Sequence, residues 1–395
     1  MDFRTLADVV VSHKTVLLRA DFNVPLHEGK VQDETRLRES LPTIEYLIQH
    51  SAKVVIVTHL GRPKGQVLEE FRLNSVADCL SELLGKTVKK TSDCVGPEVK
   101  SALAHMEDGE VLLLENVRFH KEEEVNDSEF AKTLAEGCDF FVNDAFASIH
   151  RAHASTVGVT VFLPSYAGFL VEKEVRILSG ILEHPEKPVI LVAGGAKIDT
   201  KIGILEKFLK IADTFIIGGA LANTFLAAEG HEIGKSLCEV DKIATAQRFL
   251  QAAQGKQVLL PMDAVVAADV TEGLPFREVL ISEVLKGEKI LDIGSQTIAL
   301  FTSALKDSKT VLWNGPMGFY ERAAFEKGTR SIAECIAGLF GVKVLGGGDS
   351  IDAVNHFGIP HEKFTHISTG GGAMLEFLEG KLLPGLAPLL KEKKE

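Results

Sequence analysis

Five arginines in the first half of the chain, Arg19, Arg36, Arg62, Arg118 and Arg151, stand on or just beyond predicted strands or in the loops that follow. A guanidinium is a planar fork of donors that matches phosphate or carboxylate oxygens. One such residue reads most simply as a surface ion pair, but five at comparable strand ends point to a bound anion. The second half offers glycine turns instead: Gly194-Gly195-Ala196-Lys197-Ile198-Asp199-Thr200-Lys201, Gly218-Gly219 and Gly346-Gly347-Gly348-Asp349-Ser350. Between a strand and a helix, such turns present backbone N–H groups and a positive helix end to phosphate. Lys197 and Lys201 fall on one face if a helix begins near Ala196, where two ammonium groups repel unless an anion lies between them. Asp349 is a carboxylate suited to Mg²⁺ with the Ser350 hydroxyl beside it, or equally an ordinary helix cap. The chemistry implied is the handling of two anions, one by each half.

The elements that must position these groups are short apolar runs. Residues 16–18 lead to Arg19, 54–57 to His59 and 111–114 to Arg118; in the second half 189–192 lead to Gly194, 215–217 to Gly218 and 342–345 to Gly346. Amphipathic stretches at 35–49, 75–84, 128–136, 205–209, 241–254, 295–305 and 323–338 alternate with them at helical spacing. This is the rhythm of βαβ units, so two α/β halves are expected, with parallel sheets covered on both faces. In open parallel sheets ligands sit outside the carboxyl ends of the strands, where these residues fall.

A length of 395 residues favours two domains, and the charged amphipathic stretch 171–178 ahead of Pro185 and Pro188 is the expected connecting helix. The expected division is 1–170, 171–380 and a tail, 381–395, made of a packed turn and a solvated charged end. Hydrophobic residues at 45% and charged residues at 25% fit an ordinary globular protein. A net charge of -12 argues against nucleic acid or an anionic membrane as partner, so any anion must be met by a local cluster. The five cysteines are scattered and read as reduced buried thiols, and His150 with His153 lacks companions for a metal site. No leader or run of 18 apolar residues is seen, which makes a cytoplasmic protein the expectation.

Familiar nucleotide motifs are missing. Gly85-Lys86-Thr87 has Leu80 where a P-loop needs its first glycine. A dinucleotide fingerprint fails because Gly346 and Gly348 are followed by Ile351, and Gly370 and Gly372 by Leu375, which removes the main support for a nicotinamide-dependent dehydrogenase.

Taken together, several segments resemble the phosphoglycerate kinase family. They are Arg19-Ala20-Asp21-Phe22-Asn23-Val24-Pro25, His59-Leu60-Gly61-Arg62-Pro63, Glu115-Asn116-Val117-Arg118-Phe119-His120 and His150-Arg151-Ala152-His153, then 194–201, Trp313-Asn314-Gly315-Pro316-Met317-Gly318, 346–350 and Ser368-Thr369-Gly370-Gly371-Gly372. The motifs run in family order over nearly the whole chain. Ser350 stands where threonine is usual, and Met374 where a small polar residue is common. The resemblance implies two Rossmann-like domains joined by a hinge helix, 3-phosphoglycerate or 1,3-bisphosphoglycerate on the first, Mg²⁺ with ATP or ADP on the second, and a tail returning to the first. A monomer is expected.

By the same resemblance Arg62, Arg118 and Arg151 would meet the glycerate phosphate. Asp21 and Asn23 would bond the substrate hydroxyl and carboxyl end, with Phe22, His59, Leu60 and Gly61 lining the site. Lys201 would hold nucleotide phosphate, Glu321 the ribose and Asp349 the metal, with Gly347, Gly348, Ser350 and Asn314 forming the wall. Arg36, Lys197 and Lys201, with backbone N–H groups at Gly348 and Gly371, would neutralise the phosphoryl group in flight after hinge closure. A non-catalytic phosphometabolite-binding protein of the same fold is the alternative.

Overall fold

The computed structural model describes residues 2–391. The chain divides into two units, one formed by the chain up to Arg176 together with the chain from Leu382, the other by Ile177–Lys381. In the first, β1 (Thr15–Arg19), β4 (Lys53–Val57), β5 (Val88–Lys90), β6 (Val111–Leu113), β7 (Phe140–Asn143) and β8 (Ser165–Ala167) form one parallel sheet in the order β5-β6-β4-β1-β7-β8, with β2 (Leu26–His27) and β3 (Lys30–Val31) a separate hairpin. Helices α1 (Thr35–Gln49), α2 (Asn74–Leu84), α3 (Pro97–Ala104), α4 (Lys121–Glu124) and α5 (Ser128–Ala135) alternate with these strands. Strand residues alternate between two cores. Val16, Leu18, Val54, Ile56 and Val142 pack with Leu37 and Leu47 of α1 and Leu80 of α2, while Leu17, Val55, Val57 and Phe141 pack with Phe130 and Leu134 of α5. Double burial explains why these strands read as unbroken apolar runs.

Helix α6 (Phe169–Glu183) carries the chain onward and is longer than the expected 171–178. Its first turn is capped by Asp144, whose Oδ1 accepts from the backbone nitrogen of Leu170 at 2.8 Å. Burial raises the Asp144 carboxyl to about 7, more than these hydrogen bonds lower it. The folded pKa lies above the unfolded one, so the folded state holds the extra proton. This contribution is therefore present below pH ~4 and is lost as pH rises through ~7. Asp144→Asn should then gain stability relative to the native chain by up to about 1.4 kcal/mol per pH unit across that window, read from denaturant midpoints. A difference independent of pH would contradict the assignment.

The tail closes on the same unit. Arg4 N donates to Leu389 O at 2.8 Å and Gly385 N to Ile149 O at 2.8 Å, while Leu383, Leu386 and Leu389 are buried. The charged end expected to be solvated lies, from residue 392 on, outside the described residues.

In the second unit β9 (Val189–Ala193), β10 (Thr214–Ile217), β11 (Gln257–Leu259), β15 (Thr310–Asn314), β16 (Val342–Gly346) and β17 (His366–Ser368) form a parallel sheet ordered β11-β10-β9-β15-β16-β17. Between them β12 (Asp263–Ala267), β13 (Phe276–Leu280) and β14 (Lys289–Ile293) make an antiparallel sheet, order β13-β12-β14. This corrects the expectation of doubly covered parallel sheets alone: β13 exposes Phe276, Glu278 and Leu280 and buries Val279. The helices are α7 (Ile202–Phe208), α8 (Gly219–Ala228), α9 (Ile243–Ala252), α10 (Ser295–Leu305), α11 (Lys327–Gly338), α12 (Gly348–His356) and α13 (Gly371–Leu378). The stretches expected at 241–254 and 323–338 each begin with a short 3-10 turn before the α-helix proper. Helix α8 gives no periodic signal because residues 221–226 are all buried.

Candidate functional site

In the first unit the sheet reverses its winding at β1, flanked by β4 and β7, and the residues after these strands and β6 gather at their carboxyl ends. Arg36, the second residue of α1 rather than a strand-end residue, places Nη1 2.6 Å from Asp21 Oδ1. The Ser148 hydroxyl donates to Asp21 Oδ2 at 2.7 Å. Burial alone would raise the Asp21 carboxyl, but Arg36 first, with Arg19, holds it well below the usual carboxylate range. Asn23 Oδ1 accepts from Gly61 N at 2.8 Å and Phe22 N donates to Thr58 Oγ1 at 2.9 Å, which ties the loop after β1 to the loop after β4. Leu60 is fixed by Asn116, whose Nδ2 donates to Leu60 O at 2.7 Å. Gly61 (φ +64°) packs so closely on the Phe71 ring that a side chain would overlap it.

Arg19 has a different place from the other arginines. It is fully buried; its Nε donates to Ser155 Oγ at 2.9 Å and its Nη2 to His59 Nδ1 at 3.1 Å, with Nη1 on Ala20 O. Ser155 in turn donates to the buried Glu123, Oγ to Oε1 at 2.6 Å. Arginine can only donate, so His59 accepts through Nδ1 and carries its proton on Nε2. Burial, then Arg19, Arg118 and Arg151, pushes the His59 pKa well below its ordinary value despite Asp21, so the ring is a neutral donor.

Arg118 donates to Gly61 O at 2.8 Å, and its pKa is drawn down to about 10 by burial first and by Arg151 next. Guanidinium groups crowded in this way create a strongly positive edge that an anion relieves. Arg62 is exposed and makes no hydrogen bond or ion pair among the described residues. A cleft of ≈ 480 Å³ opens beside Asn23, Leu60 and Gly61, walled by Phe71 and Arg72. Sequence reasoning did not single out Arg72, Ser148 or Ser155, because their partners are distant in the chain: Glu115 is 43 positions from Arg72, Asp21 is 127 from Ser148 and Arg19 is 136 from Ser155.

In the second unit the reversal falls at β9, between β10 and β15. Gly194 follows β9 and lies so close to the carbonyl oxygens of Gly315 and Pro316 that any Cβ would overlap them. Two clefts adjoin here. One, ≈ 270 Å³, is lined by Lys197, Lys201, Asn314, Gly347, Gly348 and Asp349. The other, ≈ 520 Å³ and mainly apolar, is lined by residues that include Asn223, Leu237, Leu291, Met317, Glu321 and Asp349. The two share Gly195, Ala196 and Asp349.

Lys201 donates to Asn314 Oδ1, and burial draws its pKa down to about 8 although Asp349 opposes this. Asn314 Nδ2 donates to Gly346 O at 2.9 Å. The expected helix start near Ala196 is displaced: α7 begins at Ile202, with Lys201 as its N-cap residue, because residues 199–201 form a turn. Both lysines nevertheless line one cleft. Gly347 has φ +95°, which favours glycine, and a Cβ on Gly371 would sit 3.6 Å from Gly347 Cα, so the amino ends of α12 and α13 meet at this edge. Ser350 is buried with its Oγ accepting from Gly315 N at 2.6 Å; it braces the loop after β15. Glu321 is exposed on the wall of the larger cleft.

Asp349 lies in the first turn of α12, and its carboxylate makes no ion pair or hydrogen bond among the described residues. One free carboxylate beside a phosphate-sized cationic cleft fits Mg²⁺, which keeps several waters and takes phosphate oxygens as ligands. Neither His150 nor His153 joins a metal-sized group; the group found among the described residues is Asp93, Cys94 and His120. There His120 Nε2 already bonds Asp93 Oδ1 at 2.7 Å, and burial keeps the Cys94 thiol protonated by raising its pKa well above its ordinary value. All five cysteines are free, Cys94 buried and the others partly so.

Two doubly wound sheets, one with an arginine-rich edge and one with a lysine- and glycine-lined edge beside an apolar cleft, define an α/β protein built of two parallel-sheet units. Residues 6–381 match the family model described as phosphoglycerate kinase. The chain belongs to the phosphoglycerate kinase family. Proteins named phosphoglycerate kinase from Pelotomaculum thermopropionicum and Moorella thermoacetica are 52% and 51% identical over 389 and 390 residues, in each case 98% of this chain and 99% of the relative. The solved phosphoglycerate kinase structures of Coxiella burnetii and Pyrococcus horikoshii, 41% and 36% identical, each cover 98% of both chains at a TM-score of 0.87.

Proposed function

We propose that the chain transfers the acyl phosphate of 1,3-bisphosphoglycerate reversibly to ADP, giving 3-phosphoglycerate and ATP. Membership of the family supports this. The structural observation that carries the reading is the pairing, in the second unit, of a cationic phosphate-sized cleft with a larger apolar one, complemented by the arginine edge of the first. The alternative of a non-catalytic binding protein has no support: Arg36, Lys197, Lys201 and Asp349 are all in place.

The chemistry asks for no protein base. A carboxylate with a pKa of about 3.5 to 4 is ionised at neutral pH and attacks, or leaves, unaided. The residues have instead to align the reactants and cancel charge on the PO₃ unit. In this reading Arg118, Arg151 and Arg62 take the glycerate phosphate, and Asp21, Asn23 and the Nε2–H of His59 orient its hydroxyl and carboxyl end. Lys201 and the N–H groups of Gly348 and Gly371 receive the nucleotide phosphates, Glu321 the ribose, and Arg36 and Lys197 the moving group. Ser350 acts by bracing Gly315. Mg²⁺ accompanying the nucleotide, held through Asp349, would supply further neutralisation at the phosphate oxygens. Since acceptor and donor are assigned to different units, in-line transfer requires hinge closure that excludes water. Assignment of 1–170 to the glycerate, 171–380 to Mg-nucleotide and 381–395 to a returning segment belongs to the same proposal.

No helix among the described residues is long and apolar enough to cross a membrane. A cytoplasmic monomer acting on small metabolites, without nucleic acid or membrane partners, is the setting proposed. A coupled assay with ADP, Mg²⁺ and 1,3-bisphosphoglycerate tests the activity; no ATP formed would refute it. Asp349→Ala should weaken Mg-nucleotide binding about tenfold and leave 3-phosphoglycerate binding within twofold, on the scale of one charged contact. Equal losses in calorimetry would contradict the division of labour.

A further inference from the structure

A buried chain of hydrogen bonds runs inward from the arginine edge of the first unit, and its last two members have no part in the proposed mechanism. Glu123 is the one buried residue of α4, a single turn otherwise exposed or half-buried. Its carboxylate holds Ser155 at two points, Oε2 accepting from the backbone nitrogen at 2.8 Å and Oε1 from the hydroxyl at 2.6 Å. Arginine has no acceptor, so the Ser155 proton points to Glu123 and its lone pairs to Arg19 Nε. Arg19 thus donates at both ends, to Ser155 through Nε and to His59 Nδ1 through Nη2. His153 Nδ1 also lies 3.7 Å from Glu123, but burial first and then Arg118 draw its pKa down to about 4. It is therefore neutral at pH 7, and Arg19 is the first cation that Glu123 balances. Buried charges persist where they are paired in this way.

We infer that Glu123 and Ser155 are positioning residues for the glycerate: through Arg19 they hold the His59 ring with its proton on Nε2, the atom assigned to the substrate. The inference rests on that assignment and deepens it. A neutral imidazole has two tautomers, and the one present is set by the bond that the other nitrogen makes. Here that bond comes from a long side chain with many rotamers, which Ser155 fixes at Nε and Glu123 fixes in turn. With the Ser155 hydroxyl gone, Arg19 Nη2 leaves His59 Nδ1 for part of the time, and the proton can move to Nδ1. Nε2 then turns a lone pair toward the carboxyl end of the substrate, where two acceptors face each other and both are left unpaired.

The test reads the ring directly. Long-range proton–nitrogen NMR spectra of the nitrogen-labelled chain show which nitrogen of His59 carries the proton, its signals being assigned by their loss in His59→Gln. In the native chain the proton should sit on Nε2; a proton on Nδ1 there overturns the inference whether or not any variant folds. In Ser155→Ala, with the fold checked by circular dichroism, the two tautomers should mix. KM for 3-phosphoglycerate should then rise roughly tenfold while KM for ATP stays within twofold, on the scale of one hydrogen bond to a charged group. An unchanged ring in the folded variant overturns the inference, and so does a changed ring with the native KM for 3-phosphoglycerate. Because the ring is read without substrate, absence of phosphoryl transfer would count against the proposed function, and the spectra would still decide what Ser155 and Glu123 do to His59.

Discussion

Replacing Arg36 with alanine is expected to lower turnover by roughly 10²-fold or more, the scale set by removing one charge-stabilising donor from a reaction centre. The argument runs from the helix upward. Arg36 occupies the first turn of α1, and its side chain is 30% exposed while that of its partner Asp21 is 7% exposed. The pair therefore holds a cation at the open lip of the strand ends with its anion inside. Loss of Arg36 removes that cation and leaves Asp21 with Ser148 and Arg19 as its remaining support, so Asp21 should ionise less readily. Folding should survive, because α1 is anchored by Leu37, Ile44 and Leu47 in the core and not by its second residue. Arg36→Lys separates charge from geometry. If it restores Asp21 but not turnover, the planar fork matters as well as the charge. Near-normal kcat in Arg36→Ala, with intact circular dichroism, would remove Arg36 from the catalytic set.

The extent to which the site is legible in the sequence follows from how local each signal is. The apolar runs before Arg19, His59 and Gly194 declare buried parallel strands because their two faces are covered independently, and each run carries that information by itself. The glycines do likewise: Gly347 sits at a positive φ that only its own type adopts easily. What a residue does after its strand ends is less local. Arg19 has the same composition and spacing signal as Arg118, yet its guanidinium is consumed by Ala20, Ser155 and His59 and it serves as scaffold. Ser350 reads as a hydroxyl at a phosphate turn, but its oxygen is committed to Gly315, 35 positions earlier. The antiparallel sheet β12–β14 escaped notice for a related reason: residues 264–267 are apolar throughout, and nothing in the run distinguishes an antiparallel neighbour from a parallel one.

Lys201 should give the second large effect, and it carries a pH signature that separates its role from that of any other cation in the cleft. Burial draws its pKa to about 8, so the free protein holds a charged ammonium at neutral pH and loses it as pH rises further. A nucleotide phosphate beside it favours the charged form and raises the pKa again. Above pH ~8, binding must therefore take up a proton, and nucleotide affinity should fall about tenfold per pH unit until the bound-state pKa is reached. The last phosphate ionisation, near pH 6, lies below this window and leaves its slope untouched. Lys201→Met should abolish the slope and lower kcat/KM by roughly 10² to 10³, since it removes the charge and leaves Asn314 Oδ1 without its donor. Calorimetry in buffers of different ionisation enthalpy reads the proton uptake directly. Equal affinities at pH 7 and pH 9.5 in the native chain would mean that Lys201 does not hold the phosphate. The second unit would then have to rely on Lys197 and the amino ends of α12 and α13, a weaker arrangement because Lys197 is exposed and its charge is screened by solvent.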